Sequence, residues 1–113
     1  MSQTSINYIE FYCERIQEIK AFYGAAFGWT FTDYGDDYIA FEDGALSGGF
    51  HRTAKESSGG NPLVVLYDKE LENTRDRVAA AGGTITVDIF AFPGGKRFHF
   101  ADPDGNVLAV WSE

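Results

Sequence analysis

The most restrictive feature of this sequence is one pattern of secondary structure that occurs twice. Residues 6–13 alternate between two sets of side chains, as expected for a strand with two different faces. Apolar residues then recur at three- and four-residue spacing from Ile16 to Phe27, which predicts an amphipathic helix that Gly28 can end. Short strands are predicted next at 29–32, 38–42 and 46–51. The first half of the chain is therefore predicted to be βαβββ.

The same pattern restarts after a polar, Gly- and Ser-rich stretch at 53–61, which we interpret as a linker. A predicted strand at 63–67 leads into a helix with Leu71 and Val78 on one face. Further strands are predicted at 84–90, 96–101 and 107–111. An offset of about 55 residues aligns the two helices, with Leu71 on Ile16 and Val78 on Tyr23. The second half is also predicted to be βαβββ.

The repeat predicts the fold class. Each half gives a four-stranded sheet with a helix on one face, and the other face of that sheet needs cover. We therefore expect one α+β domain over residues 1–113, in which two tandem βαβββ modules form a curved mixed β-sheet cup with helices on the outer face. Module one spans about 5–52 and module two about 62–113.

Composition and charge narrow the partners and the compartment. The chain has 44% apolar residues and a formal net charge of −8, which disfavours nucleic acid and anionic membrane surfaces as partners. No apolar stretch approaches the roughly 20 residues that span a bilayer. Cys13 is the single cysteine, and the N-terminus lacks the pattern of a secretion signal. We expect a cytoplasmic protein.

Segments of the chain resemble a known superfamily. The stretches AFYGAAFGW, AAAGG and RFHFADPDGNVLAVW are similar to the vicinal oxygen chelate superfamily, which contains glyoxalases, bleomycin-resistance proteins and dioxygenases. The resemblance covers nearly the whole chain and implies the paired βαβββ fold. Within the last stretch, Asp102 to Gly105 has the residues of a tight turn.

The resemblance also implies where a metal would be held. Enzymes of the superfamily commonly use four side chains, and the matching positions in this chain are Tyr8, Gly48, Leu63 and Ala109. Leu, Ala and Gly have no side-chain donor, and a neutral Tyr is a poor one. We therefore expect no metal and no cofactor, and metal-dependent glyoxalase or dioxygenase activity is not expected.

Strand alternation turns the same alignment into a candidate binding site. Residues expected to line the cup are Tyr8, Glu10, Tyr12, Phe50, Tyr67, Arg97, His99 and Trp111. The alternative is a purely structural role for these residues. The aromatic residues would then fill a core or a dimer interface, and Glu10 and Arg97 would form a structural ion pair. The Gly48-Gly49 pair permits close backbone approach or a bulge, and could equally mark space for a ligand.

Three functions remain open from the sequence. The first is a protein of the bleomycin-resistance type that binds an amphipathic or cationic small molecule without chemistry. The second is a metal-independent lyase or isomerase in which Glu10 or His99 moves a proton beside a carbonyl group held by Arg97. The third is a dimeric protein that binds no small ligand, because its cup is filled by its own side chains. The resemblance also implies a homodimer.

Overall fold

A computed structural model describes residues 4–53 and 62–113. The elements are β1 (Ser5–Cys13), α1 (Ile16–Phe27), β2 (Thr30–Asp33), β3 (Tyr38–Glu42), β4 (Ser47–Arg52), β5 (Leu63–Tyr67), α2 (Leu71–Ala80), β6 (Thr84–Phe92), β7 (Gly95–Ala101) and β8 (Val107–Ser112). The predicted elements are all present, and their ends differ from prediction by one or two residues. The predicted linker lies outside the described residues except for Thr53.

Both modules use the same strand arrangement. In module one the strand order is β2-β3-β4-β1, with β1 parallel to β4 and the other neighbours antiparallel. In module two the order is β5-β8-β7-β6, with β5 parallel to β8 and the other neighbours antiparallel. The α+β class and the two βαβββ modules are confirmed.

In module one, α1 covers one face of the sheet. Ile16 packs with Cys13 and with Ile39, Phe41 and Phe50, all buried. The predicted helix end is confirmed, because Gly28 has a φ of 73° and its N–H donates to the Gly24 carbonyl at 3.0 Å. Only a residue without a Cβ adopts this left-handed conformation readily, so glycine sets the helix end.

The last turn of α1 departs from the simple amphipathic pattern. Phe27 is 63% exposed and Phe22 is 57% exposed, although the spacing placed Phe27 with the buried positions. The Phe27 ring lies 6.4 Å from Phe22, 6.0 Å from Tyr23 and 6.0 Å from Trp29. Phe22 and Phe27 therefore pack along the helix surface, while Tyr23 and Trp29 also contact the core.

In module two, α2 packs on the sheet through Leu71, which is 1% exposed, against Phe98 and Val110. The predicted turn between β7 and β8 is confirmed. Its Asp102 Oδ1 accepts the N–H groups of Asp104 and Asn106, each at 2.9 Å. The hydrogen bonds from Asn106 hold the pKa of Asp102 below its usual range. The Asp102 carboxylate therefore stays ionised at neutral pH and keeps the hydrogen bonds of the turn.

The chain divides into two compact units. One comprises Tyr8–Pro62, and the other comprises Leu63–Glu113 together with the described residues up to Asn7. Residues 5–7, at the start of β1, thus group with module two. None of the helices in the described ranges is long and apolar enough to cross a membrane.

Replacing Leu71 with Ala should lower the free energy of unfolding by about 2 to 5 kcal/mol, because a buried Leu leaves a cavity when it is truncated. Urea denaturation measures this change. The matched control is Val107→Ala, where the side chain is 50% exposed and a change within about 0.5 kcal/mol is expected. Equal effects of the two variants would contradict the assignment of Leu71 to the core.

Candidate functional site

A buried carboxylate lies on the sheet face of module one that points away from α1, here called its helix-distal face. Alternation on β1 places Tyr8, Glu10 and Tyr12 on this face, because Cys13 and its neighbour Phe11 pack on the side of α1. Glu10 is only 4% exposed, while Tyr8 and Tyr12 are half-buried. The structure therefore brings three of the predicted site residues together on one strand.

Tyr38 joins this group, and the sequence interpretation missed it. Its hydroxyl donates to Glu10 Oε1 at 3.1 Å and lies 2.5 Å from the Tyr8 hydroxyl. The Tyr38 ring also lies 6.0 Å from the ring of His51, which in turn lies 6.4 Å from Tyr12. A carboxylate and three phenol rings thus share one surface of module one.

Gly49 makes the approach of Tyr38 possible. A Cβ at position 49 would lie 2.0 Å from the Tyr38 hydroxyl oxygen, so any other residue would collide with the phenol as it crosses β4 toward β1. Gly48 serves the other face, where a Cβ would meet the Phe41 ring at 2.4 Å. The glycine pair gives close approach to Tyr38 and Phe41, and the alternative of space left for a ligand at these two positions is wrong.

The surroundings of Tyr38 in this cluster change its pKa. Burial raises the pKa of Tyr38 well above the ordinary value for a phenol, and the negative charge of Glu10 and the hydrogen bond with Tyr8 raise it further. The neutral phenol is favoured because a phenolate would be poorly hydrated and would face a carboxylate. Tyr38 therefore remains a hydrogen-bond donor to Glu10 throughout the neutral pH range.

Phe50 lies away from the other predicted residues of module one. It pairs with Phe11 on β1, on the side of α1, and its ring stacks on Phe11 with centroids 5.1 Å apart. It is 3% exposed and belongs to the core with Phe41. Position 50 was assigned to the cup, and the structure separates it from Glu10 because odd and even positions of β4 point to opposite faces.

Module two carries the remaining predicted residues on its own helix-distal face. Arg97 pairs with Trp111 across β7 and β8, and His99 pairs with Ala109. The intervening Phe98 belongs to the core under α2. Arg97, His99 and Trp111 therefore share a face, as strand alternation predicted.

Two phenylalanines on β6 complete this face and were not predicted. The Arg97 guanidinium lies 5.6 Å from the Phe90 ring centroid and 5.9 Å from that of Phe92. The His99 ring lies 5.9 Å from Phe90. The register of β6 against β7 shifts between Ile85 and Val87 and again between Val87 and Phe90, so plain alternation along β6 could not assign these side chains to a face.

Tyr67 and Trp111 form the edge of the same group. Their rings meet edge to face at 5.0 Å, and Trp111 Nε1 donates to Asn7 Oδ1 at 3.1 Å. The Tyr67 hydroxyl donates to the Glu113 carboxylate, and this hydrogen bond raises the pKa of Tyr67. The group is an aromatic surface with a guanidinium and an imidazole set into it.

The residues at the expected metal positions do not fit a metal ion. Leu63 is 6% exposed and Ala109 is fully buried, and neither has a donor atom. The Tyr8 hydroxyl is engaged with Tyr38. Across residues 4–53 and 62–113, no group of three or more His, Cys, Asp or Glu side chains is placed to hold a metal ion.

Comparison with known families identifies the fold family. The family model of the Glyoxalase/Bleomycin resistance protein/Dioxygenase superfamily matches residues 5–110. The chain belongs to this superfamily. A search of curated proteins found no match.

Several solved structures have a similar fold. The Mn(II)-bound glyoxalase from Novosphingobium aromaticivorans is 22% identical with a TM-score of 0.71, over 99% of this chain and 40% of that one. A superfamily member from Vibrio splendidus is 15% identical with a TM-score of 0.70, over the whole of both chains. Methylmalonyl-CoA epimerase from Mycobacterium tuberculosis is 9% identical with a TM-score of 0.78, over 96% and 87%. At these identities the likeness shows a shared fold.

Replacing Gly49 with Ala should destabilise the protein by about 1 to 3 kcal/mol, because the new methyl group displaces the Tyr38 phenol. The measurement is a double-mutant cycle in urea with Tyr38→Ala. In the Tyr38→Ala background the same Gly49→Ala change should cost much less. An equal cost in both backgrounds would show that Tyr38 does not depend on Gly49.

Titration to alkaline pH should detect the raised pKa of Tyr38. Its pKa is raised on folding, so its contribution to stability is complete below the pKa of an unfolded tyrosine, about 10, and is lost as pH rises above that value. We expect tyrosinate absorbance of the folded protein to show a late-titrating group that Tyr38→Phe removes. The same variant should show a smaller loss of stability above pH about 10. A Tyr38 that titrates with the exposed tyrosines would contradict this environment.

Proposed function

We propose that the chain binds a small organic molecule and that the helix-distal face of module one recognises a cationic group on it. The observation that supports this most strongly is the buried Glu10 carboxylate on a face shared with Tyr8, Tyr12 and Tyr38. A carboxylate attracts an ammonium group directly, and aromatic faces attract it through their quadrupole. This combination of groups is suited to an alkylated ammonium ion.

Charge and burial support the same ligand class. The net charge of −8 steers cations toward the chain and anions away from it. A carboxylate as buried as Glu10 is costly unless it has hydrogen-bond donors, and the Tyr38 hydroxyl supplies one.

The helix-distal face of module two, taken by itself, is a second candidate surface for apolar groups. Phe90, Phe92 and Trp111 present ring faces and edges there, and Arg97 and His99 add hydrogen-bonding groups. Small-molecule sites commonly combine an aromatic lining with a few polar groups. This face by itself suits an amphipathic ligand.

The test compares choline with its neutral isostere, 3,3-dimethylbutan-1-ol, as probes. The two have the same shape and differ in charge, so only a site that recognises the cation separates them. Choline should raise the melting temperature and give a saturable calorimetric isotherm, because a ligand that binds the folded state stabilises it. Equal binding of both probes, or of neither, would overturn the proposal of a cation site.

Replacing Glu10 with Gln should weaken choline binding by about 1 to 3 kcal/mol, since the variant keeps the shape of the side chain and removes its charge. The matched control is Glu14→Gln, an exposed carboxylate just after β1 that should leave affinity unchanged. Titration calorimetry measures both variants. A Glu10→Gln variant with wild-type affinity would remove Glu10 from the site.

A second candidate is metal-independent proton transfer in a lyase or isomerase, with Glu10 or His99 as the proton-transfer group. The observation that favours it is the placement of Arg97 and His99 two positions apart on one face of β7, which suits a carboxylate held by Arg97 beside an imidazole. The test follows exchange of the C3 protons of 2-oxobutyrate in D₂O by NMR. Exchange that is lost in His99→Gln would support it, and no exchange above background would reject it for this probe class.

The homodimer expected from the resemblance stays a proposal. Among the described strands, β2 and β6 each pair with one neighbour in their modules, and such edges are common contact surfaces. Light scattering at micromolar concentration tests it. A mass of one chain across the concentration range would reject the dimer.

A further inference from the structure

A cleft of about 300 Å³ opens on the helix side of module two, away from the face described above. Phe100 and Val110 form its floor, and they alternate along β7 and β8 with His99 and Ala109, which point the other way. The cleft is lined by Thr4, Leu66, Thr74, Arg77, Val78, Ala81, Phe100 and Val110. It therefore combines an apolar wall with one guanidinium.

Both modules have a cleft at this place, and they differ in the side chains that line it. The repeat aligns Thr74 with Ile19 and Val78 with Tyr23, and both module-one residues pack against the core there. Leu66 likewise matches Phe11. Module two thus has smaller side chains between helix and sheet, whereas the equivalent cleft of module one, about 480 Å³, has Phe11, Ile19 and Tyr23 in its lining.

A buried carboxylate holds the guanidinium in place. Asp68 has a side chain that is 0% exposed, and its Oδ2 accepts a hydrogen bond from Arg77 Nη2 at 3.2 Å. The same nitrogen donates to Thr74 Oγ1 at 3.0 Å. Asp68 also accepts the Glu70 N–H at 2.9 Å and the Thr4 hydroxyl at 2.5 Å. Arg77 is therefore fixed at the cleft before any ligand arrives.

The geometry leaves hydrogen-bonding capacity on Arg77. A guanidinium has five N–H donors. Within the described part of the chain, the acceptors of Arg77 are Asp68 and Thr74, and both are bound at Nη2. The side chain is 39% exposed, and neither of these two hydrogen bonds uses Nε or Nη1. Guanidinium groups pair well with carboxylates, in a geometry that lysine cannot reproduce.

We propose that this cleft binds a small aliphatic carboxylate, with its carboxylate on Arg77 and its chain along Val78, Phe100 and Val110. This ligand is an anion, whereas the ligand group proposed for the helix-distal face of module one is a cation. The two sites share no residues. The cleft is therefore a separate site, and its test is independent of the proposed function.

The probes are hexanoate, hexan-1-ol and hexylammonium, which share a chain and differ in the head group. Amide NMR spectra of the folded protein follow each titration. Hexanoate should bind saturably and shift the amide signals of Thr74, Val78 and Ala81, and should bind at least about tenfold more tightly than the alcohol. Equal binding of hexanoate and hexanol, or the absence of saturable shifts, would overturn the proposal.

Two variants and a control locate the site. Arg77→Gln should weaken hexanoate binding at least about tenfold, while Arg75→Gln on the same helix should not, because Arg75 pairs with Asp88 on the surface. Val78→Tyr places the module-one residue in the cleft and should abolish binding while the protein stays folded. If Arg77→Gln fails to fold, the Val78→Tyr variant still tests whether hexanoate binds in the cleft, since it leaves the ion pair of Asp68 and Arg77 intact.

Further results with these variants would place hexanoate outside the cleft. Hexanoate binding that survives Val78→Tyr, or that Arg75→Gln weakens equally, would overturn the cleft as the site. Binding lost in Arg97→Gln and kept in Arg77→Gln would place the carboxylate on the opposite face and overturn it as well. Glu10→Gln should leave hexanoate binding unchanged, so failure of the choline test and failure of the hexanoate test are distinguishable.

Discussion

Each module depends on the alternation of side chains along strands that are covered by a helix on one face only. Burial of Phe98 and Val110 under α2 commits their neighbours Arg97, His99 and Ala109 to the other face. The same constraint in module one commits Glu10 to the face away from α1. The faces of Glu10, Arg97 and His99 follow from which of their neighbours the helix buries, because one step along a strand reverses the side-chain direction.

The burial of Glu10 is made tolerable by a residue on another strand. Tyr38 crosses β4 above Gly49, and its hydroxyl reaches the carboxylate. The glycine contributes by having no side chain, and the phenol contributes a donor that the buried acceptor needs. Three strands of module one therefore cooperate to hold one charged group.

The repeat has preserved topology while packing has diverged. Strand order and the parallel pair recur in both modules, yet module one has Phe11 and Tyr23 beneath its helix where module two has Leu66 and Val78. In module two the volume that remains is bordered by the Asp68–Arg77 ion pair. The two halves thus offer chemically different surfaces, one acidic and phenolic and the other bearing guanidinium groups.

The order of elements, the repeat and the turns could be predicted from the sequence, because these depend on local periodicity and on glycine and proline at fixed places. The sequence also predicted which residues of one strand share a face, as for Tyr8 with Glu10 and Arg97 with His99, since alternation within one strand needs no partner. The place of Phe50, the role of Tyr38 and the contribution of Phe90 could be assigned only from the folded chain. These depend on the register between strands and on bulges in β6, which bring together residues far apart in the chain.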